Sequence, residues 1–194
     1  MKNIILASGS PRRKMLMEWA ELNFEIIVSD ADESFPNDIS PKDVALLIAK
    51  NKNIAVFEKL QSIPTTNNFL VISADTIVVL NGEIIGKPAN REHAIDILQK
   101  LSGQKHEVIT AVVMKNNLKE IAFADATQVT FHDLTLEQIV FYVDNYKPYD
   151  KAGAYAIQEW IGVVGIKSIE GDFYNVMGLP ISRVVSFINS SFID

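Results

Sequence analysis

Apolar and polar positions fall into a readable order from the start of the chain. Ile4 to Ala7 is a short apolar run, Ser8-Gly9-Ser10 reads as a turn, and Pro11 opens a helical pattern to about Leu22. The prediction is strand, tight loop, helix. A second strand over Phe24 to Val28 leads into an acidic loop from Ser29 to Pro36. Ser40-Pro41-Lys42-Asp43 then has the form of a capped helix start, with the helix running to about Leu60. Phe69 to Leu80 is a long β-branched strand that meets Asn81-Gly82, a strong hairpin signal, before Glu83 to Lys87 returns. After Asn90 a helix places Ala94, Ile95, Leu98 and Leu101 inward and ends at Gly103. Strands at about 106–114 and 118–131 form a meander, a helix follows Thr135, a strand lies near 163–169, and Leu179-Pro180 opens the closing helix. Hairpins and crossovers in one chain predict an α/β class with a mixed sheet.

At 194 residues the chain is one large domain or two tight lobes, and it is long enough to bury a core without staples. There is no internal repeat, low-complexity tract or Pro/Ser-rich linker; the best candidate boundaries are the polar stretch Ser62 to Asn68 and the turn cluster Asn145 to Asp150. With 48% hydrophobic and 22% charged residues, the composition excludes disordered and collagen-like classes. A net charge of −6 offers no bulk attraction for nucleic acid or an anionic membrane, so any anion site is local. The absence of cysteine removes disulfides, thiolate nucleophiles and cysteine metal sites, and leaves His93, His106 and His132. That composition fits a reducing cytoplasm. The apolar start of MKNIILASGS is too short for a signal peptide, and no apolar run approaches the ~18 residues of a membrane span.

Local rules are broken in a few places. Ser10 is a good N-cap and Pro11 a good first helical residue, yet Arg12 and Arg13 follow where the helix dipole already presents positive charge. Either the two arginines solubilise an exposed first turn, or they join the loop N–H groups and the hydroxyls of Ser8 and Ser10 in an anion cradle. Asp75 interrupts an apolar strand, on the face of Val71, Ile77 and Val79. It faces solvent, or it is paired with a metal or a cation, because an unpaired buried carboxylate is expensive. The Asn81-Gly82 turn pairs Leu80 with Glu83 and hence Thr76 with Lys87, at the same end of the hairpin as Asp75. Lys52 emerges from the apolar stripe of its helix, between Ile48 and Val56, and either snorkels or reaches into a site. The loop carrying Asp30, Asp32 and Glu33 offers hard oxygen ligands but lacks the spacing of an EF-hand. No HExxH, GxSxG, Walker A or GxGxxG pattern is present, which weakens zinc, serine-hydrolase, P-loop and dinucleotide readings.

SGSPRRK at 8–14, ADTIV at 74–78, NGEIIGKP at 81–88, KAGAYAIQ at 151–158 and NVMGLP at 175–180 together resemble the Maf family of septum-formation-associated nucleotide pyrophosphatases, over essentially the whole chain. The resemblance implies an elongated α/β fold related to the inosine-triphosphate pyrophosphatases. It implies one domain over 1–194 with two lobes around a phosphate-binding cleft, and commonly a homodimer. The implied reaction converts a nucleoside triphosphate into the monophosphate and pyrophosphate with a divalent cation, magnesium or manganese. On the family pattern Ser8, Arg12, Arg13, Lys52 and Lys87 bind the triphosphate. Asp75 is the catalytic carboxylate, as general base or metal ligand, and Glu33 is a second metal or water-orienting ligand. Arg12, Thr76 and Gln158 match the branch that acts on dTTP and UTP, where a glutamine amide suits the pyrimidine O4/N3–H edge. After Gln158 the usual glycine-containing continuation reads Glu159-Trp160-Ile161-Gly162, a bulkier loop. The alternatives are the family's 7-methyl-GTP activity and a nucleotide-binding regulator of septum formation with little turnover.

Overall fold

Three consecutive apolar residues, Ile4, Ile5 and Leu6, suit a strand covered on both faces, and they form the middle of a parallel group. The computed structural model describes residues 3–36, 38–62 and 69–192. In it β1 (Asn3–Leu6) pairs in parallel with β2 (Phe24–Ile26) on one side and with β3 (Phe69–Leu80) on the other, Ile5 facing Glu25 and Val71. The remaining strands are β4 (Glu83–Ile85), β5 (Lys105–Lys115), β6 (Glu120–Phe131) and β7 (Ile166–Glu170). Strand order is β2-β1-β3-β5-β6-β7 with β4 beside β3. The β3–β4 and β6–β7 pairs are antiparallel, so the sheet is mixed as expected. Of the boundary expected at Ser62 to Asn68, all but Ser62 lies outside the described residues.

The chain divides into two compact units. The first holds residues 1–75, 110–125 and 178–194. Its helices are α1 (Pro11–Trp19) and α2 (Pro41–Gln61), and further along the chain α7 (Ile181–Phe187) runs into a π-helical turn over Ile188–Phe192. The Ser40 hydroxyl accepts from the Asp43 N–H at 3.2 Å and starts α2, as the sequence predicts. Ile5, Ala7, Val56, Phe57, Leu60, Phe69 and Val71 form a core cluster there, with Phe57 and Phe69 edge to face at 5.3 Å. The buried Asn53 amide donates to the Val71 and Val113 carbonyls at 3.1 and 3.0 Å and ties α2 to two strands. Helix α1 ends at Trp19 rather than near Leu22, because Glu21 turns left-handed at φ 55° and the Leu22 N–H reaches back to Met17.

The second unit holds residues 76–109 and 126–177. The expected Asn145–Asp150 boundary falls inside it. The hairpin forms in the predicted register, Leu80 opposite Glu83, with Asn81 and Gly82 at φ 52° and 86° as a type I′ turn requires. Pairing stops at Ile85, so Thr76 and Lys87 do not pair: the Gly86 carbonyl accepts from the Gly153 N–H, and Pro88 has no donor to continue a ladder. In α3 (Arg91–Leu101) the buried residues are Ala94, Ile97, Leu98 and Leu101, while Ile95 is half-buried at the margin of the stripe. Helix α4 (Leu136–Tyr146) starts on a reciprocal capping box between Thr135 and Gln138. The strand expected near 163–169 begins at Ile166, because Trp160–Gly165 forms α5 instead. Val163 lies 82% exposed on that helix, so β-branched propensity is overridden where the Glu159 carbonyl accepts from the Gly162 N–H. The short helix α6 (Phe173–Met177) carried no clear sequence signal.

Candidate active site

In the first unit β1 delivers the chain to Ser8, whose buried hydroxyl accepts from the Ser10 N–H at 3.3 Å and from Arg13 Nη1 at 3.1 Å. Arg13 Nε donates to the Gly178 carbonyl at 2.8 Å. One finding departs from the sequence reading of this turn, and a second decides between its alternatives. Ser10 makes no side-chain cap bond, its own N–H being taken up by Ser8, and Arg13 is buried at 8% exposure rather than lying on an open first turn. A guanidinium tolerates this position because its fixed fork meets a hydroxyl and a carbonyl at once. Burial lowers the Arg13 pKa from its ordinary value; Asp75 pulls the other way, Arg12 adds to the lowering, and Glu33 opposes it. Arg13 and the two carboxylates therefore share one local field.

Lys52 supplies the second half of this arrangement. Its Nζ lies 2.7 Å from Asp75 Oδ1 and 2.7 Å from Glu33 Oε1. The lysine leaves the apolar stripe of α2 and reaches a site, which resolves the choice that the sequence leaves open. Every residue of β3 is buried except the half-buried Thr76, so period-2 alternation marks no solvent face for Asp75. The ammonium makes that carboxylate tolerable, because a paired and hydrogen-bonded charge escapes most of the penalty for leaving water. Glu33, half exposed, comes from the acidic loop. Its neighbour Asp32 instead accepts from the Ser34 hydroxyl and N–H, which hold that carboxyl below its usual range.

The first unit thus joins Ser8 to Arg13, and Lys52 to Asp75 and Glu33. Arg12, also in this unit, is half-buried. Thr76, Lys87 and Gln158 belong to the second unit, half-buried, exposed and exposed in turn. Among the described residues no group of three or more His, Asp or Glu side chains is placed to hold a metal ion. The donor chemistry still suits a hard divalent cation. Two carboxylates already converge on one positive charge, and magnesium takes one or two carboxylates and completes its shell with water and substrate phosphates.

The sequence reading passed over several groups around these residues. The Gly178 carbonyl, which anchors Arg13, carries no signal because any residue has one. Tyr142, Lys151 and Glu159 gather beside Gln158. The signal available for them was a charged Lys151 and Glu159 bounding the otherwise apolar AGAYAI segment.

A family model described as Maf-like protein matches residues 3–191. A dTTP/UTP pyrophosphatase of Cytophaga hutchinsonii is 47% identical over 190 residues, covering 98% of this chain and 84% of that protein. A dTTP/UTP pyrophosphatase of Bacillus cereus (strain G9842) is 44% identical over 194 residues, covering 100% of this chain and 98% of that protein. Among solved structures, the Staphylococcus aureus Ham1 protein matches with a TM-score of 0.46 at 18% identity, covering 68% of this chain and 73% of that one. A likeness of that size carries no conclusion about this chain.

Proposed function

The chain belongs to the Maf family, and from that premise we propose that it is a nucleoside triphosphate pyrophosphatase acting on dTTP and UTP. Relatives with that name, 44–47% identical over nearly the whole chain, support the substrate class. The observation that carries the chemistry is Lys52 held between Asp75 and Glu33, in the same field as the buried Arg13.

In this reading water attacks the α-phosphorus, its oxygen forms the new P–O bond, and the bond from that phosphorus to the bridging oxygen of the β-phosphate breaks. The products are the nucleoside monophosphate and pyrophosphate. Asp75 takes the proton of the attacking water, and Arg12, Arg13, Lys52 and Lys87 offset the charge on the triphosphate and on the leaving pyrophosphate. Ser8 adds a hydroxyl to the phosphate contacts. Lys52 also holds the Asp75 carboxylate in place until substrate arrives. Glu33 and Asp75 would hold a divalent cation, magnesium or manganese, which when bound neutralises phosphate charge. Arg12, Thr76 and Gln158 set the choice of base, with the Gln158 amide addressing the O4/N3–H edge of the pyrimidine. The proposal places the enzyme in the cytoplasm as a homodimer. No helix among the described residues is long and apolar enough to cross a membrane.

The test is product formation from dTTP, UTP, CTP, GTP and 7-methyl-GTP with and without magnesium or manganese. Metal-dependent release of pyrophosphate and monophosphate from dTTP and UTP is expected. Preference for 7-methyl-GTP would keep the chemistry and overturn the base assignment. Tight binding with no product from any nucleotide would replace the enzyme by a nucleotide-binding regulator.

A further inference from the structure

Gln158 sits in a turn that the fold holds from behind. The Glu159 N–H donates to the Ala156 carbonyl at 3.1 Å and closes four residues, with Ile157 buried and Gln158 turned outward between them. Both ends of this turn meet one atom. The Tyr142 hydroxyl accepts from the Ala156 N–H at 3.2 Å and donates to the Glu159 carboxylate. Tyr142 itself lies on the inward face of α4 with Ile139 and Val143, fully buried, so its hydroxyl is carried by a rigid element. The other Glu159 oxygen faces Lys151 Nζ at 3.6 Å. Lys151 is buried at 7% exposure and also reaches Asp150 at 2.8 Å. Phe141, one residue before Tyr142, stacks at a tilt on Trp160 with ring centres 4.8 Å apart. Adjacent residues of one helix therefore grip positions 156, 159 and 160, on both sides of Gln158.

This arrangement bears on base choice because a carboxamide can turn over. A glutamine presents a donor and an acceptor side by side, and flipping exchanges them, so its identity alone does not separate one base edge from another. What separates a pyrimidine from a purine is how far from the sugar the edge lies, and hence where the turn holds the amide. We propose that Tyr142 and Glu159 are positioning residues for base selection: the tyrosine hydroxyl bridging Ala156 and Glu159 holds the Gln158 turn at the depth of a pyrimidine edge. Lys151 compensates the Glu159 charge. Preorganisation of this kind lowers the ordering cost of binding and leaves the bond-breaking step untouched. The inference rests on the reading of Gln158 as a base-recognition residue, and the experiment separates the two.

The experiment measures kcat and KM for UTP and GTP in the full-length protein and in Tyr142→Phe, Gln158→Ala, the double variant, Glu159→Gln and Glu159→Ala. Tyr142→Phe keeps the buried ring and removes one hydroxyl. It is expected to lower the UTP:GTP ratio of kcat/KM roughly three- to tenfold, the scale of one hydrogen bond, through a raised KM for UTP. Glu159→Gln keeps an acceptor for Tyr142 and is expected to hold the ratio within roughly twofold, whereas Glu159→Ala should behave as Tyr142→Phe. In the double variant the effects on the ratio should not add, since the turn has nothing left to position once the amide is gone. If Gln158→Ala lowers the ratio but Tyr142→Phe leaves it unchanged, or the two effects add, the positioning role is overturned and the base reading stands. If Gln158→Ala leaves the ratio unchanged, both fall together.

Discussion

Acidification perturbs one buried residue of the second unit strongly enough to weigh. His106 is 2% exposed, stacks on Phe131 with ring centres 5.4 Å apart, and meets Tyr155 edge to face at 5.5 Å. Its Nε2 lies 2.8 Å from the Tyr155 hydroxyl, while Nδ1 has no hydrogen-bond partner among the described residues. Whichever of the two donates, the neutral ring and the hydroxyl share that one bond, and the Nδ1 end of the ring is left over. A protonated ring would bury a charge with nothing at Nδ1 to receive it. Burial accordingly pushes His106 down to about 4, from 6.5 when unfolded. Between these values the unfolded chain binds the proton and the folded chain does not, so stability present above pH 6.5 is lost as pH falls toward 4. Each pH unit of that gap is worth about 1.4 kcal/mol, which makes the full loss about 3 kcal/mol. The assay is urea unfolding of wild type and His106→Phe at matched pH values from 7.5 to 4, followed by a signal of the second unit. The difference between the two stabilities should shrink or reverse by about 3 kcal/mol across that range. Parallel curves would refute the buried neutral imidazole.

Replacing Arg13 by lysine keeps the charge but cannot reach the Ser8 hydroxyl and the Gly178 carbonyl through one rigid fork. Steady-state kinetics of Arg13→Lys should show kcat/KM for UTP reduced roughly 10- to 100-fold. Lys52→Met leaves Asp75 and Glu33 facing each other without the ammonium between them. Glu33 is half exposed and adds little, but Asp75 is left buried without its ammonium, so the stability cost is about 3–5 kcal/mol in urea unfolding, and pyrophosphate release should fall roughly 100-fold. Gly153→Ala forces an L-residue to φ 69° and sets its Cβ 2.9 Å from Val78 Cγ2, which should cost about 2–4 kcal/mol, seen as a lower Tm.

Much of the fold was written locally. Asn81-Gly82 set the hairpin register, and Ser40, Asn90 and Thr135 each cap the helix that follows with a side-chain oxygen. The failures came where tertiary context outweighed local preference. The strand expected near 163–169 begins only at Ile166, because 160–165 folds as a helix, and the question of whether Arg13 lies on an open turn is decided by partners five and 165 residues away. Sequence marked Lys52 and Asp75 as misplaced in apolar surroundings, and each explains the other. Their meeting with Glu33 joins three segments at no fixed spacing, so it was visible only in the fold. The hydroxyl of Tyr142 was hidden for a related reason: an inward aromatic at helical spacing reads as core, and here its ring is core while its polar tip holds a loop.

The measurement closest to the central claim is pyrophosphate release from UTP and dTTP by wild type and Asp75→Asn, with UTP binding measured in parallel. Asparagine keeps the size of the side chain and a carbonyl for Lys52, and removes the negative charge and the proton acceptor. Metal-dependent release is expected to fall at least roughly 100-fold in the variant, with UTP affinity within a few-fold of wild type. Turnover by Asp75→Asn at the wild-type rate would contradict the account, because no chemistry assigned to this carboxylate survives its loss.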